Sequence, residues 1–154
     1  LPLSAACWQD GQLAVRLSGA GSEIEQAAAL MASESRSADL EPWVDLREHQ
    51  LEFFAGATKL WRISVPAATP PLELEGDCLL DWGGAQRWYN GPETAEKIRS
   101  LAGRAGGHAT LFRGESEAPR FHPLPAGLRQ LHQRIRQAFD PHGLFNPGRL
   151  DQGA

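Results

Sequence analysis

Cysteine, methionine and tyrosine are scarce in this chain. Its 154 residues hold two cysteines (Cys7 and Cys78), one methionine (Met31) and one tyrosine (Tyr89). Two cysteines do not make a disulfide framework, so both are expected as buried free thiols of a reducing compartment. No apolar run approaches the roughly 20 residues that a membrane-spanning helix requires. The phosphate loop, the GxSxG elbow and a GxGxxG following a strand are all missing, which removes the usual sequence marks of nucleotide and acyl chemistry. The five histidines, His49, His108, His122, His132 and His142, show neither HxxxH nor HxH spacing, so no metal site is expected. A formal net charge of −4 argues against a nucleic-acid partner. The chain opens Leu1-Pro2-Leu3-Ser4, with no initiating Met and no secretory leader, and reads as a piece of a longer protein.

What remains is the composition of a globular domain, 42% hydrophobic and 22% charged, long enough for one domain over 1–154 with a core of its own. Charge is unevenly spread. Residues 99–149 carry eight arginines against Glu115, Glu117 and Asp140, leaving the first two thirds acidic. Such a basic region suits either an anionic ligand or partner, or a solvated helix face.

Hydrophobic spacing orders the elements. Residues 3–8 and 13–18 read as strands joined through Asp10-Gly11, a hairpin signal. Ser22 and Glu25 form a candidate capping box for a helix over 22–34, with Ile24, Ala27, Ala28 and Met31 at helical spacing. Ser33–Asp39 reads as a polar loop. A second helix is predicted from Glu41 to Phe54, with Pro42 in its first turn. Strands follow at 60–65, 78–82 and 86–89, the last two flanking Gly83-Gly84. A helix then runs to about Arg104 with Ala95, Ile98, Leu101 and Ala102 inward, a strand covers 108–112, and a last helix covers 124–139 with Leu128, Leu131, Ile135 and Phe139 on one stripe. The order β-β-α-α-β-β-β-α-β-α predicts an α+β fold: an antiparallel sheet with helices on one face, in the ferredoxin-like manner, built from two β-α-β halves.

Two segments are chemically dense. Asp81-Trp82-Gly83-Gly84-Ala85-Gln86-Arg87-Trp88 gathers two indoles, an acid, a guanidinium and paired glycines, and Trp61-Arg62 has the same character. Arginine and aromatic faces are what hold a carboxylate or a planar cofactor edge; the same indoles also serve as core beneath helices, with their arginines as surface charges. At the end of the chain, Phe139-Asp140-Pro141-His142-Gly143-Leu144-Phe145-Asn146-Pro147-Gly148-Arg149-Leu150 stops a helix at Pro141 and turns at Gly143, with Asn146 expected in an extended conformation before Pro147.

This closing string resembles the DPxGxxNPG ending of FAD-linked oxidases of the vanillyl-alcohol oxidase type. Together with Leu1–Ala6, Leu60-Trp61-Arg62, Asp81–Trp88, Gly106-Gly107-His108-Ala109-Thr110 and Phe145–Arg149, it resembles the C-terminal half of the FAD-binding E subunits of bacterial glycolate oxidases, over essentially the whole chain. The resemblance implies a cap or substrate domain of a flavoprotein that oxidises a small 2-hydroxy acid, glycolate, to glyoxylate. FAD would be held mainly by a preceding domain, flavin N5 would remove hydride from the alcohol carbon, and electrons would pass to an iron-sulfur subunit beside a second FAD subunit. A cytoplasmic location is implied, with peripheral attachment to the inner membrane through partner subunits. Carried onto this sequence, Arg62, Arg87 and Trp82 are the candidates for substrate or flavin-edge contact, Asn146 for a flavin-side hydrogen bond, and His108 for the acid/base by its ordinary titration range. Catalytic relatives carry paired metal-binding histidines and a Glu-His-Gly segment, which this sequence lacks. That difference supports a rival reading, a non-catalytic ferredoxin-like scaffold that binds partner subunits.

Overall fold

Asp10 and Gly11 both adopt left-handed angles, φ 50° and 79°, as a tight two-residue hairpin turn requires. They join β1 (Leu3–Gln9) to β2 (Gln12–Leu17), paired antiparallel from Gln9–Gln12 outwards. The computed structural model describes residues 1–31, 37 and 39–146. The last turn of the expected first helix, most of the polar loop after it and Pro147-Gly148-Arg149-Leu150 lie outside the described residues. The chain divides into two compact units, Leu1–Glu115 and Ser116–Ala154.

In the first unit the hairpin is followed by α1 (Gly21–Leu30), α2 (Glu41–Glu48), α3 (Glu52–Ala55), β3 (Leu60–Ser64), β4 (Asp77–Asp81), β5 (Gln86–Asn90), α4 (Ala95–Arg104) and β6 (His108–Arg113). The first helix starts one residue before the expected capping box: Glu23, and not Glu25, reaches back to the backbone N–H of Ala20. The long second helix is broken. His49 takes φ 57°, a left-handed C-cap, and only one turn, α3, follows. Helix α4 is capped by Thr94, whose hydroxyl accepts from Lys97 N at 3.2 Å.

The six strands form one sheet in the order β2-β1-β4-β5-β3-β6, every pairing antiparallel. The run β4-β5-β3-β6 is a split βαβ arrangement: β5, α4 and β6 make the unit, with β3 inserted between its strands. The other expected half has α1, α2 and α3 between β2 and β3, but those two strands lie apart in the sheet, separated by β1, β4 and β5. Between β3 and β4 the chain crosses without regular structure through Pro66–Gly76, a stretch with three prolines that cannot sustain a helix.

Strand alternation sends neighbouring residues to opposite faces. Trp61, Ile63, Val65, Tyr89, Ala109 and Leu111 point to one face and pack with Ile98 and Ala102 of α4. Leu60, Leu79 and Trp88 point to the other and pack with Leu46, Phe53, Phe54 and Ala57 from the α2–α3 region. The α+β antiparallel sheet is as expected, but helical segments cover both of its faces. β3 and β5 are apolar at successive positions, which lets them bury both sides.

In the second unit, α5 (Ala126–Phe139) carries the expected stripe, and Leu128, Leu131, Ile135 and Phe139 are all exposed. It stops before Pro141 as expected. The Asp140 carboxylate accepts from the backbone N–H groups of Leu144 and Phe145, each at 2.8 Å, and these bonds hold its pKa below the ordinary carboxylate value. Gly143 is left-handed at φ 64°.

Candidate functional site

The α2–α3 region covers only part of its sheet face. Beyond Trp88 the same face is polar, and its side chains can be read off the register. Arg62 on β3 lies opposite Trp88 on β5 and Thr110 on β6. One row further, Ser64 lies opposite Gln86 and His108, and Gln86 lies opposite Asp81 on β4. These two rows place a guanidinium, an imidazole, two hydroxyls and an amide on one side of the sheet. Arg62 and His108 are exposed, Ser64 and Thr110 half-buried, and Gln86 is 8% exposed. Directly opposed side chains start about 5 Å apart and diagonal ones roughly 7–8 Å, so Arg62 and His108, which are diagonal neighbours, can reach one small ligand together.

Among the described residues, the side chains of Arg62, Ser64, His108 and Thr110 make no hydrogen bond or ion pair with the protein. An arginine without a carboxylate partner beside free hydroxyls is suited to a small anion: the planar fork can accept a carboxylate bidentately while the hydroxyls and imidazole bond its remaining oxygens. Asp81 at the far end of the row is engaged elsewhere, its Oδ1 accepting from Trp82 N at 2.7 Å.

The other sequence candidates fall in different surroundings. Trp82 follows Asp81 in the turn that leaves this end of the sheet, and it is 70% exposed. Its φ is 52°, unusual for a bulky residue, and Gly83 and Gly84 follow at 62° and 90°. Arg87 lies on the opposite face from Arg62 and is only 2% exposed. Its Nε donates to Gly84 O at 3.2 Å, Nη1 donates to Pro70 O at 2.8 Å, and Nη2 donates to Thr69 O. Three nitrogens thus hold backbone carbonyls, where a substrate contact was expected; the prolines of the crossover leave carbonyls that need donors, and burial makes those bonds obligatory. Asn146 belongs to the second unit and is exposed. It is not extended as expected before proline: φ is 45°, a region asparagine tolerates, and its carbonyl accepts from Arg136 Nη2 at 3.4 Å.

Ser64, Thr110 and Gln86 were missed in the sequence. The i, i+2 pairs Arg62/Ser64 and His108/Thr110 hint at polar edges of two strands, yet nothing local says that the two strands pair. His49 was also missed. It forms the border between the polar rows and the aromatic part of the face, with its ring against Phe54, Trp88 and Phe112 at centroid distances of 4.4, 4.6 and 5.2 Å. A shallow groove on the other side of the sheet, lined by Leu72, Glu73, Glu75, Lys97, Ser100 and Arg104, contains none of the candidates.

No helix among the described residues is long and apolar enough to cross a membrane. No protein-family model matches the chain. No solved structure matches it either. Among curated proteins, the glycolate oxidase subunit GlcE of Escherichia coli (strain K12) is 41% identical over 150 residues, 97% of this chain. The chain spans 42% of that protein's length and matches its C-terminal portion. The resemblance read from scattered motifs is therefore a continuous one: over nearly its whole length, this chain is similar to the C-terminal portion of a glycolate oxidase subunit.

Proposed function

We propose that this chain is the ferredoxin-like cap domain of an FAD-dependent oxidoreductase subunit acting on a small 2-hydroxy acid, with glycolate oxidised to glyoxylate and electrons passed to an iron-sulfur partner. The observation that carries the reading is the 41% identity along 97% of the chain to a glycolate oxidase subunit. The polar rows of the sheet support the reading, because their side chains suit a small carboxylate. In this reading Arg62 takes the substrate carboxylate, Ser64 and Thr110 bond its oxygens, and His108, diagonally across from Arg62, accepts the alcohol proton.

The same face fits one edge of a flavin and not the whole cofactor. An unpaired guanidinium and hydroxyls suit the electron-rich carbonyl edge of the ring, whereas the described residues include no glycine-rich phosphate loop at a helix start. FAD would be cradled elsewhere in the complete polypeptide and, once bound, would supply the two-electron acceptor for the alcohol carbon. This chain's residues orient the acid, hold a proton acceptor near its hydroxyl and close one side of the site to water.

Arg62→Gln in the complete polypeptide tests the reading. Loss of a charge-assisted contact of about 1.5–3 kcal/mol lowers kcat/KM for glycolate by roughly 10- to 150-fold with normal flavin content. An unchanged kcat/KM would overturn the assignment of Arg62. The scaffold reading draws on one observation, the 70% exposure of Trp82 on a left-handed turn, since exposed tryptophans anchor protein interfaces. A flavin-free complete polypeptide that still copurifies with an iron-sulfur protein would favour it.

A further inference from the structure

Three successive residues, Trp82, Gly83 and Gly84, hold left-handed angles of 52°, 62° and 90°. Glycine adopts such angles freely and tryptophan does not, so the surroundings must impose the conformation at Trp82. The restraints are visible on each side. Upstream, the Asp81 carboxylate holds Trp82 N at 2.7 Å. Within the turn, Ala85 N donates to Trp82 O at 3.3 Å. Downstream, Arg87 Nε holds Gly84 O at 3.2 Å. The crossover runs close by on the remaining side, where a Cβ on Gly84 would lie 3.0 Å from Ala67 O. That crossover is itself tied down by the other two Arg87 nitrogens, at Thr69 O and Pro70 O.

We propose that Arg87 is a positioning residue: it fixes the Asp81–Gly84 turn against the crossover and so holds the exposed Trp82 in place at the β4–β5 end of the sheet, although the guanidinium itself lies on the opposite face from Arg62 and meets no ligand. The fork geometry is what the role demands. One planar group reaches three carbonyls from two separate segments, which a lysine ammonium on a flexible stem does not reproduce. In its effect on ligand capture the inference rests on the function proposed above; in its effect on Trp82 it stands alone.

The test is a double-mutant cycle on this 154-residue chain, with Arg87→Gln, Arg87→Lys, Trp82→Phe and the corresponding double variants. The contribution of Trp82 is isolated by subtracting the emission of each Trp82→Phe partner, and its accessibility is read by acrylamide quenching. Binding of oxalate, a small planar analogue of the acid, is followed by NMR chemical shifts. Arg87→Gln is expected to change the Trp82 emission and quenching while far-ultraviolet dichroism stays native, and Arg87→Lys to restore only part of the signal. Oxalate binding should weaken about tenfold in Arg87→Gln and in Trp82→Phe, and by no more in the double variant, because both changes remove one contact. An unaltered Trp82 signal in Arg87→Gln, or losses that simply add, would overturn the proposal. If Arg87→Gln does not fold, Arg87→Lys carries the same comparison, and a wild-type Trp82 signal there overturns it equally. A wild-type chain that ignores oxalate while its Trp82 signal still follows Arg87 would count against the proposed function and leave the positioning role in place.

Discussion

The imidazole of His49 lies nearly flat on the ring of Phe54, centroids 4.4 Å apart and planes inclined by 21°. Trp88 meets the same imidazole edge-on at 4.6 Å. Burial is the main reason that its pKa falls below the ordinary value; the positive charge of Arg113 adds to the effect and Glu48 opposes it. The folded state therefore prefers neutral His49. Its contribution to stability is full above the unfolded pKa of about 6.5 and is lost as pH drops through the lower folded value. Urea midpoints measured between pH 7 and pH 5 should fall, and they should fall less steeply in His49→Asn, which tolerates the left-handed cap. Parallel slopes in the two proteins would refute the assignment.

Tyr89 sits fully buried beneath α4 and donates its hydroxyl to Glu75 O at 2.6 Å, pinning the end of the crossover. Tyr89→Phe leaves that carbonyl without its donor and should lower stability by about 1–3 kcal/mol. Gly91→Ala should do more harm, because its Cβ would fall 2.3 Å from the Tyr89 oxygen and 2.4 Å from Glu75 O. Chemical denaturation of both variants gives the order; a Gly91→Ala protein as stable as Tyr89→Phe would contradict it.

The approach of β3 to β6 depends on Gly107. A Cβ there would stand 2.0 Å from Ser64 O, so alanine must push the strands apart next to the row that holds Ser64 and His108. Gly107→Ala should lose about 1–3 kcal/mol or more and displace the His108 resonances. Gly106→Ala is the control: it has open space around it but φ 78°, so it bears only backbone strain, roughly 1–2 kcal/mol. Undisturbed His108 signals in Gly107→Ala would mean that the strands can yield without moving the site.

Cys7 and Cys78 are free, and alternation puts them on opposite faces, Cys7 towards Leu79 and Trp88 and Cys78 alongside Tyr89. Burial pushes both thiols up to about 11, helped at Cys7 by the charge of Asp81. Thiolate is the reactive form, so labelling by iodoacetamide should stay slow at pH 8 and quicken only near pH 10–11. The unfolded chain ionises first, at about 8.5, so stability should decline as pH rises from there towards 11. Rapid labelling of the native chain at pH 8 would show that these sites open far more readily than their burial implies.

Much of the chain's local order was legible before any contact was known. Asp10-Gly11 specified a hairpin turn, Pro141 stopped α5 at Phe139, and the spacing of Ile98, Leu101 and Ala102 marked the buried side of α4. Each of these depends on dihedral preferences or on periodicity within a few residues, and such information resides in the sequence itself. Alternation likewise put Arg62 and Ser64 on one face of β3. What joined them to His108, Thr110 and Gln86 was the insertion of β3 between β5 and β6, a pairing between strands separated by more than twenty residues, for which no local preference exists. The break at His49 and the burial of Arg87 were decided in the same way. The first satisfied rings from three other elements, and the second satisfied carbonyls left bare by a proline-rich crossover; in both, distant groups set the free energy of a conformation that neighbouring residues alone leave open.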